Sequence, residues 1–210
     1  MKLGRAGWRE AELVVVDVET TGLNHREDRV ISYGAVPISG GRIVAGGAVY
    51  GLVNPGRRLG PESVRIHGIL EDDLADAPSG AEAFAPLAAA MRDREPVGHA
   101  AWVERAFLSR PLRANGVRLR RHMLDTGALY RLHEIDLHGR DPGLPSLETM
   151  ATALGLPIHR PHHALGDALT TAQAFLALAT HFEQRGRQTL RGLRSAQAMV
   201  DSHRRLHPHG

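Results

Sequence analysis

The feature that most constrains this chain is the short apolar run at residues 12–18, in which three consecutive valines are followed directly by two acids, Asp17 and Glu19. The run is too short for a buried helix. Its β-branched residues suit a pleated surface packed on both faces, so it reads as a central strand. Two further β-rich stretches follow at 29–38 and 42–53. The Gly40-Gly41 break between them signals a hairpin. The first three strands therefore predict an antiparallel meander.

Beyond Asn54-Pro55-Gly56 the pattern changes. Helical turns are expected within 61–74 and a helix over 79–93. A short strand is expected at 96–99 and a helix over 101–114. A strand over 122–126 leads into a helix from about 127, and further helices are expected over 147–154, 164–184 and 188–206. Strands first, then strands alternating with helices, predict an α/β domain with a mixed sheet. The tail 207–210 is expected to fray.

Composition narrows the chemistry. With 210 residues the chain suits one domain. It contains no cysteine, so a metal has to be held by oxygen or imidazole. The same absence fits a reducing cytoplasm. Residues 1–10 lack the apolar core of a signal peptide, and no run of about 18 apolar residues suggests a membrane span. The net charge is +3 and Lys2 is the one lysine, so the base is arginine. A mildly basic chain is compatible with a phosphate-rich partner.

Asp17 and Glu19 are two apart in a strand and so share a face. Paired carboxylates repel unless a cation neutralises them, and a hard divalent ion prefers such ligands. For the pair alone, solvated acids at a strand end are an equally good explanation. The continuation decides otherwise. Asp-x-Glu-Thr-Thr-Gly fixes five positions, a match expected by chance roughly once in 10⁴ chains of this length.

The segment Asp17-Val18-Glu19-Thr20-Thr21-Gly22 resembles the first motif of the DEDDh-type, or DnaQ-like, 3′→5′ exonucleases. His162-His163-Ala164-Leu165-Gly166-Asp167-Ala168 resembles their third motif, His-x-Ala-x-x-Asp-Ala. The middle motif, commonly His-Asn-Ala-x-Phe-Asp, appears as His99-Ala100-Ala101-Trp102-Val103-Glu104. Glu104 thus stands where Asp is usual, with the same charge and a longer reach. Ile66-His67-Gly68-Ile69, Leu124-Asp125-Thr126, and Ser146-Leu147 with Leu154-Gly155-Leu156 resemble shorter family segments. Together the matches span roughly residues 12–180.

The resemblance implies an RNase H-like fold, with a mixed five-stranded sheet of three antiparallel strands and then two more, flanked by helices. It implies an exonuclease domain over 1–185, followed by a helical extension over 186–210. Asp17, Glu19, Glu104 and Asp167 would hold two Mg²⁺ or Mn²⁺ ions per site. His162 would act as general base, with His163 at the variable position. Thr20, Thr21, Gly22 and Leu23 would touch the terminal nucleotide, Leu23 as a wedge. His67 would line the cleft, although a loop-satisfying histidine explains it as well.

The expected substrates are single-stranded DNA or RNA 3′ ends, cut to nucleoside 5′-monophosphates. Glu104 leaves open a binding or scaffold module with a weakened site. A proofreading subunit recruited to a DNA polymerase, docked through 188–206, is a third reading. Two arginine sets, at 105, 110, 113, 118, 120 and 121 and at 185, 187, 191 and 194, are either phosphate contacts or solvated faces. Trp102 and Tyr33 are candidates for base stacking, with core packing the readier role.

Overall fold

A computed structural model describes residues 7–119 and 123–206, with side chains described as far as residue 200. Arg120, Arg121, His122 and the tail 207–210 lie outside the described residues. The elements in chain order are β1 (Leu13–Thr20), β2 (Val30–Ser39), β3 (Arg42–Ile43), β4 (Val49–Leu52), α1 (Pro61–His67), α2 (Glu71–Leu74), α3 (Ala85–Met91), β5 (Glu95–Gly98), α4 (Trp102–Ala114), β6 (Leu124–Asp125), α5 (Thr126–His138), α6 (Leu147–Ala153), α7 (Ala164–Gln184) and α8 (Leu190–Leu206).

The sheet order is β3-β2-β1-β5-β6, with β4 also paired to β2. Strand β2 is antiparallel to β1, whereas β5 and β6 run parallel to β1. This is the expected mixed sheet. The expected third strand is one path broken into β3 and β4 by a 3₁₀ turn at Ala45–Gly47. Gly46 and Gly47 in that turn add no side chain to hold an extended backbone in the ladder. The helix expected over 79–93 is shorter. Gly80 takes φ 65°, a 3₁₀ turn covers Glu82–Phe84, and Pro86 opens α3. Proline lacks an N–H and is best tolerated in a first helical turn.

The alternation along β1 divides the core. Leu13 and Val15 face one layer with Phe175, Leu178 and Phe182 of α7. Val14 and Val16 face the other, with Leu87 of α3 and Leu108 and Leu112 of α4. Both faces of β1 are therefore covered, which is why its valine run does not alternate with polar residues. Beyond Val16 the same alternation points Asp17 and Glu19 toward the α7 layer.

Helix α8 packs on the first of these layers. Its Leu190, Leu193, Ala196 and Val200 are buried there. Arg194 pairs with the buried Glu95 at the start of β5. The Gln197 amide accepts from Asp125 N at 3.1 Å and donates to Met123 O at 3.2 Å. A side-chain amide thus satisfies backbone groups on the edge strand β6, which would otherwise be open to pairing.

Candidate active site

Asp17 and Glu19 lie at the C-terminal end of β1, where the β1–β2 register slips between Glu19 and Thr20. The bulge turns the chain into the loop carrying Thr20, Thr21, Gly22 and Leu23. Asp167 comes from the first turn of α7. Carboxylate oxygens of Asp17, Glu19 and Asp167 all lie within 4.8 Å of one another.

What brings α7 so close is Gly34. It pairs with Asp17 across the β1–β2 ladder. A Cβ at Gly34 would lie 2.4 Å from the backbone of Ala164 and Leu165. Helix α7 therefore begins directly on the sheet, and any side chain at position 34 would lift it away.

Glu104 arrives from the other layer. It is buried in the first turn of α4, and Oε2 lies 3.2 Å from where a side chain on Gly98 would begin. That oxygen is buried and has no hydrogen-bond partner among the described residues. Asp125 sets the approach of α4. Its Oδ2 accepts from Ala101 N at 2.9 Å, while its Oδ1 caps α5 by accepting from Gly127 N at 2.9 Å. His99 is also a fixed strut, with Nε2 3.0 Å from Pro145 O and Nδ1 3.1 Å from Thr126 Oγ1.

The electrostatics agree with the crowding. Burial raises the Asp17 carboxyl well above its usual range, and the charges of Glu104, Glu19 and Asp167 push it further. Burial and Asp167 raise Glu19 to about 7. Burial raises Asp167 to about 6, although a hydrogen bond from the His162 backbone opposes the shift. Burial raises Glu104 well above 4.5, with Asp125 adding to it. Four acids, two buried and two part-buried, gathered at one place disfavour their own ionised forms unless positive charge enters.

His162 sits beside this cluster on a strained turn. Its φ is 59° and that of Arg160 is 41°. Left-handed backbone costs a residue with a Cβ roughly 1–2 kcal/mol. The turn is held by three contacts. Asp167 Oδ2 accepts from His162 N at 2.9 Å, Arg160 O accepts from His163 N at 3.1 Å, and the His163 ring stacks on Tyr50 at 4.6 Å. The His162 ring is half exposed, with Nε2 3.7 Å from Glu148 Oε1. His163 caps α7 through Nδ1, which accepts from Gly166 N at 3.4 Å.

The loop after β1 closes on Asp28. The Thr21 hydroxyl donates to Asp28 Oδ1 at 2.8 Å, and Thr20 Oγ1 donates to Gly22 O at 2.7 Å. A Cβ on Gly22 would strike the Asp28 carboxylate at 2.5 Å, so packing within the loop is enough to require glycine there. Leu23 stands 73% exposed at the tip, as a wedge would have to. His67 closes the end of α1, where its Nδ1 accepts from Ile69 N at 3.0 Å. Tyr33 is core, stacked on Phe84 and donating to Ala83 O at 2.9 Å. Trp102, also expected to favour the core, is 58% exposed at the start of α4, because the residues facing inward from this helix are Glu104, Phe107 and Leu108.

Sequence reading gave no role to Tyr50, Glu148 or Gly34. No motif covers them, and each matters only through a partner distant in the chain.

The Exonuclease (RNase_T) family profile matches residues 14–175. The chain belongs to that family. Within that family the chain is of the DEDDh type. A DNA polymerase III subunit epsilon-like protein of Rhodobacter capsulatus is 36% identical over 179 residues, covering 84% of this chain and 25% of that protein. The chain thus spans about a quarter of that relative's length. Among solved structures, Exonuclease X in complex with 5′ overhanging duplex DNA superposes with TM-score 0.63 at 23% identity, over 86% of this chain and 99% of the other. The nuclease domain of 3′hExo, a DEDDh family member bound to rAMP, superposes with TM-score 0.66 at 16% identity, over 88% and 97% of the two chains. These two show the shared fold. Among the described residues no helix is long and apolar enough to cross a membrane.

Proposed function

We propose that this chain is a divalent-metal-dependent 3′→5′ exonuclease that releases nucleoside 5′-monophosphates from single-stranded DNA or RNA 3′ ends. One observation carries the reading. Three carboxylates from two distant parts of the chain lie within 4.8 Å of one another, and the buried charge of Glu104 acts on Asp17 from a third. Their raised pKa values and the unsatisfied Glu104 oxygen fit carboxylates gathered to hold cations. All the donors are hard oxygens, which suits Mg²⁺ or Mn²⁺ over softer metals.

In this reading Asp17, Glu19, Glu104 and Asp167 hold the metal, two ions per site. When bound, such ions activate water and stabilise the departing 3′ oxygen. The protein's own groups do the rest. His162 takes the proton of the attacking water on its imidazole, whose Nε2 lies 3.7 Å from Glu148 Oε1. The Asp167–His162 backbone bond ties the base to the metal shell. The backbone of Thr20, Thr21 and Gly22 meets the terminal nucleotide, and Leu23 wedges beside its base. His67 contributes shape to the cleft and no chemistry. The catalytic unit runs to residue 185, with α8 bracing β6 and through it Asp125.

The test is release of mononucleotides from 3′-labelled DNA and RNA oligonucleotides with Mg²⁺ or Mn²⁺. Metal-stimulated release that Asp17→Ala removes is expected. If wild type and Asp17→Ala behave alike, the reading fails and the scaffold alternative takes its place. The relative's name, a polymerase III epsilon-like protein, motivates a second test, co-purification with a DNA polymerase. Leu190, Leu193, Ala196 and Val200 of α8 are already buried against its own domain, so docking through this helix would have to use its other residues.

A further inference from the structure

The loop 21–29 and helix α4 each have a second face that the proposed chemistry leaves unused. The loop leaves the carboxylates at the bulge after Glu19. On α4, Glu104 faces the same cluster. One turn further along the helix comes Phe107, and after another turn Arg110. Between the outer side of the loop and this part of α4 lies a cavity of about 630 Å³. That is the size of ordinary ligand sites.

The lining of this cavity suits a phosphodiester chain. Its lining includes the buried residues Val30, Phe84 and Phe107. Arg26, Arg29 and Arg110 contribute to its walls. The one acid in the lining, Asp28, is engaged by the Thr21 hydroxyl and by Asn24 N at 2.9 Å. Arg29 is structural: its Nη1 donates to Glu27 O at 2.8 Å and Asp28 O at 2.9 Å. Arg26 and Arg110 differ. Both are exposed, and among the described residues neither guanidinium has a hydrogen-bond or ion-pair partner. Two uncommitted cations along a groove are an arrangement that can follow the backbone of a single strand.

Continuity with the carboxylate cluster decides which part of a strand would lie here. Six residues of helix separate Glu104 from Arg110, a rise of about 9 Å. A strand whose 3′ end reaches the carboxylates has to leave them in the 5′ direction. Phe107 in this groove lies one helical turn beyond Glu104, and Asp28 in its wall holds Thr21 of the loop that follows Glu19. In the second arginine set three of the four side chains are engaged within the fold. Arg194 is paired with Glu95, Arg185 lies 3.2 Å from the His181 ring nitrogen, and Arg187 lies over the Phe182 ring.

We propose that the groove between loop 21–29 and α4 is a subsite for the segment of single-stranded nucleic acid just upstream of the terminal nucleotide, with Arg26 and Arg110 contacting its phosphates. The assignment rests on the nuclease reading for its direction, and its test is separable from that reading. The full chain and its Arg26→Ser/Arg110→Ser variant are titrated with 5′-fluorescein-labelled dT12 and dT3 in EDTA, which stops turnover. Hydrolysis of dT3 is measured separately with Mn²⁺.

The groove requires about tenfold weaker dT12 binding by the variant. It also requires a log K against log salt slope shallower by about 1.4, since each phosphate contact on a single strand contributes about 0.7. Binding and hydrolysis of dT3 should stay within twofold of wild type. Equal dT12 affinities and slopes for the two proteins would overturn the proposal. Loss of dT3 binding or hydrolysis by the variant would also overturn it, because the arginines would then be acting on the carboxylate site. A wild type that hydrolyses nothing yet binds dT12 through these arginines would remove the nuclease reading and keep the groove.

Discussion

Glu19→Gln isolates what the acid cluster costs the metal-free fold. The Glu19 carboxyl titrates at about 7 in the folded chain against 4.5 in the ordinary state. The unfolded chain therefore loses this proton first. Between those values the folded state holds more protons, and stability falls as pH rises through the window. At about 1.36 kcal/mol per pH unit, the ionised group costs the fold up to about 3 kcal/mol at pH 8, a ceiling because Glu19 is partly exposed to water. At pH 5 the cost falls below about 1 kcal/mol. Glutamine keeps the shape and removes the charge. In EDTA at pH 8 the variant should melt roughly 5–10 °C above wild type, taking about 2–4 °C per kcal/mol for a chain of this size. At pH 5 most of that gain should vanish. Saturating Mn²⁺ should raise the melting temperature of wild type more than that of the variant. The assay is thermal denaturation followed by circular dichroism at both pH values, with and without metal. A variant no more stable than wild type at pH 8, or one whose advantage is undiminished at pH 5, would refute the account of Glu19 as a buried, self-repelling acid.

Other substitutions probe the supports of the site. Gly34→Ala should displace the start of α7 and cost about 1–3 kcal/mol in urea denaturation, as overpacking does. It should also weaken the Mn²⁺-induced rise in melting temperature, because Asp167 moves with α7. Tyr50→Ala should lower kcat by about tenfold with little change in KM by freeing the strained His162 turn, and Tyr50→Phe, which keeps the ring, should retain most of the activity. Asp17→Asn should lower metal-stimulated hydrolysis by at least about 10³-fold while leaving the far-ultraviolet circular dichroism unchanged. Gln197→Ala should lower thermal stability by about 1 kcal/mol through the two backbone groups of β6 it releases.

The amino-acid sequence was enough for the strand order at the start of the chain, for most helices, and for the carboxylates as candidates. These depend on local patterns. A valine run between turn signals fixes a buried strand, alternation puts Asp17 and Glu19 on one face, and the stretch from His162 to Ala168 opens a helix whatever lies around it. Breaks inside elements were harder to read. The split of the third strand and the late start of α3 depend on glycine and proline geometry within stretches that otherwise look continuous. Trp102 was misread because a helix beginning at that residue turns Glu104 inward and leaves the indole outside, a matter of helix phase within one turn.

The tertiary structure decided the distances. Asp17 and Asp167 are 150 residues apart, and only the bare backbone of Gly34 allows α7 to carry one to the other. It also decided what supports the chemistry: Asp125 setting the approach of Glu104, Tyr50 holding the His162 turn, and α8 covering the edge beside them. None of these has a local signature, because each acts through a contact with a residue far away in the chain. The run of valines ending in two acids specified a strand with charge at its tip. Packing of both layers around that tip made the charges costly, close together and suited to a metal.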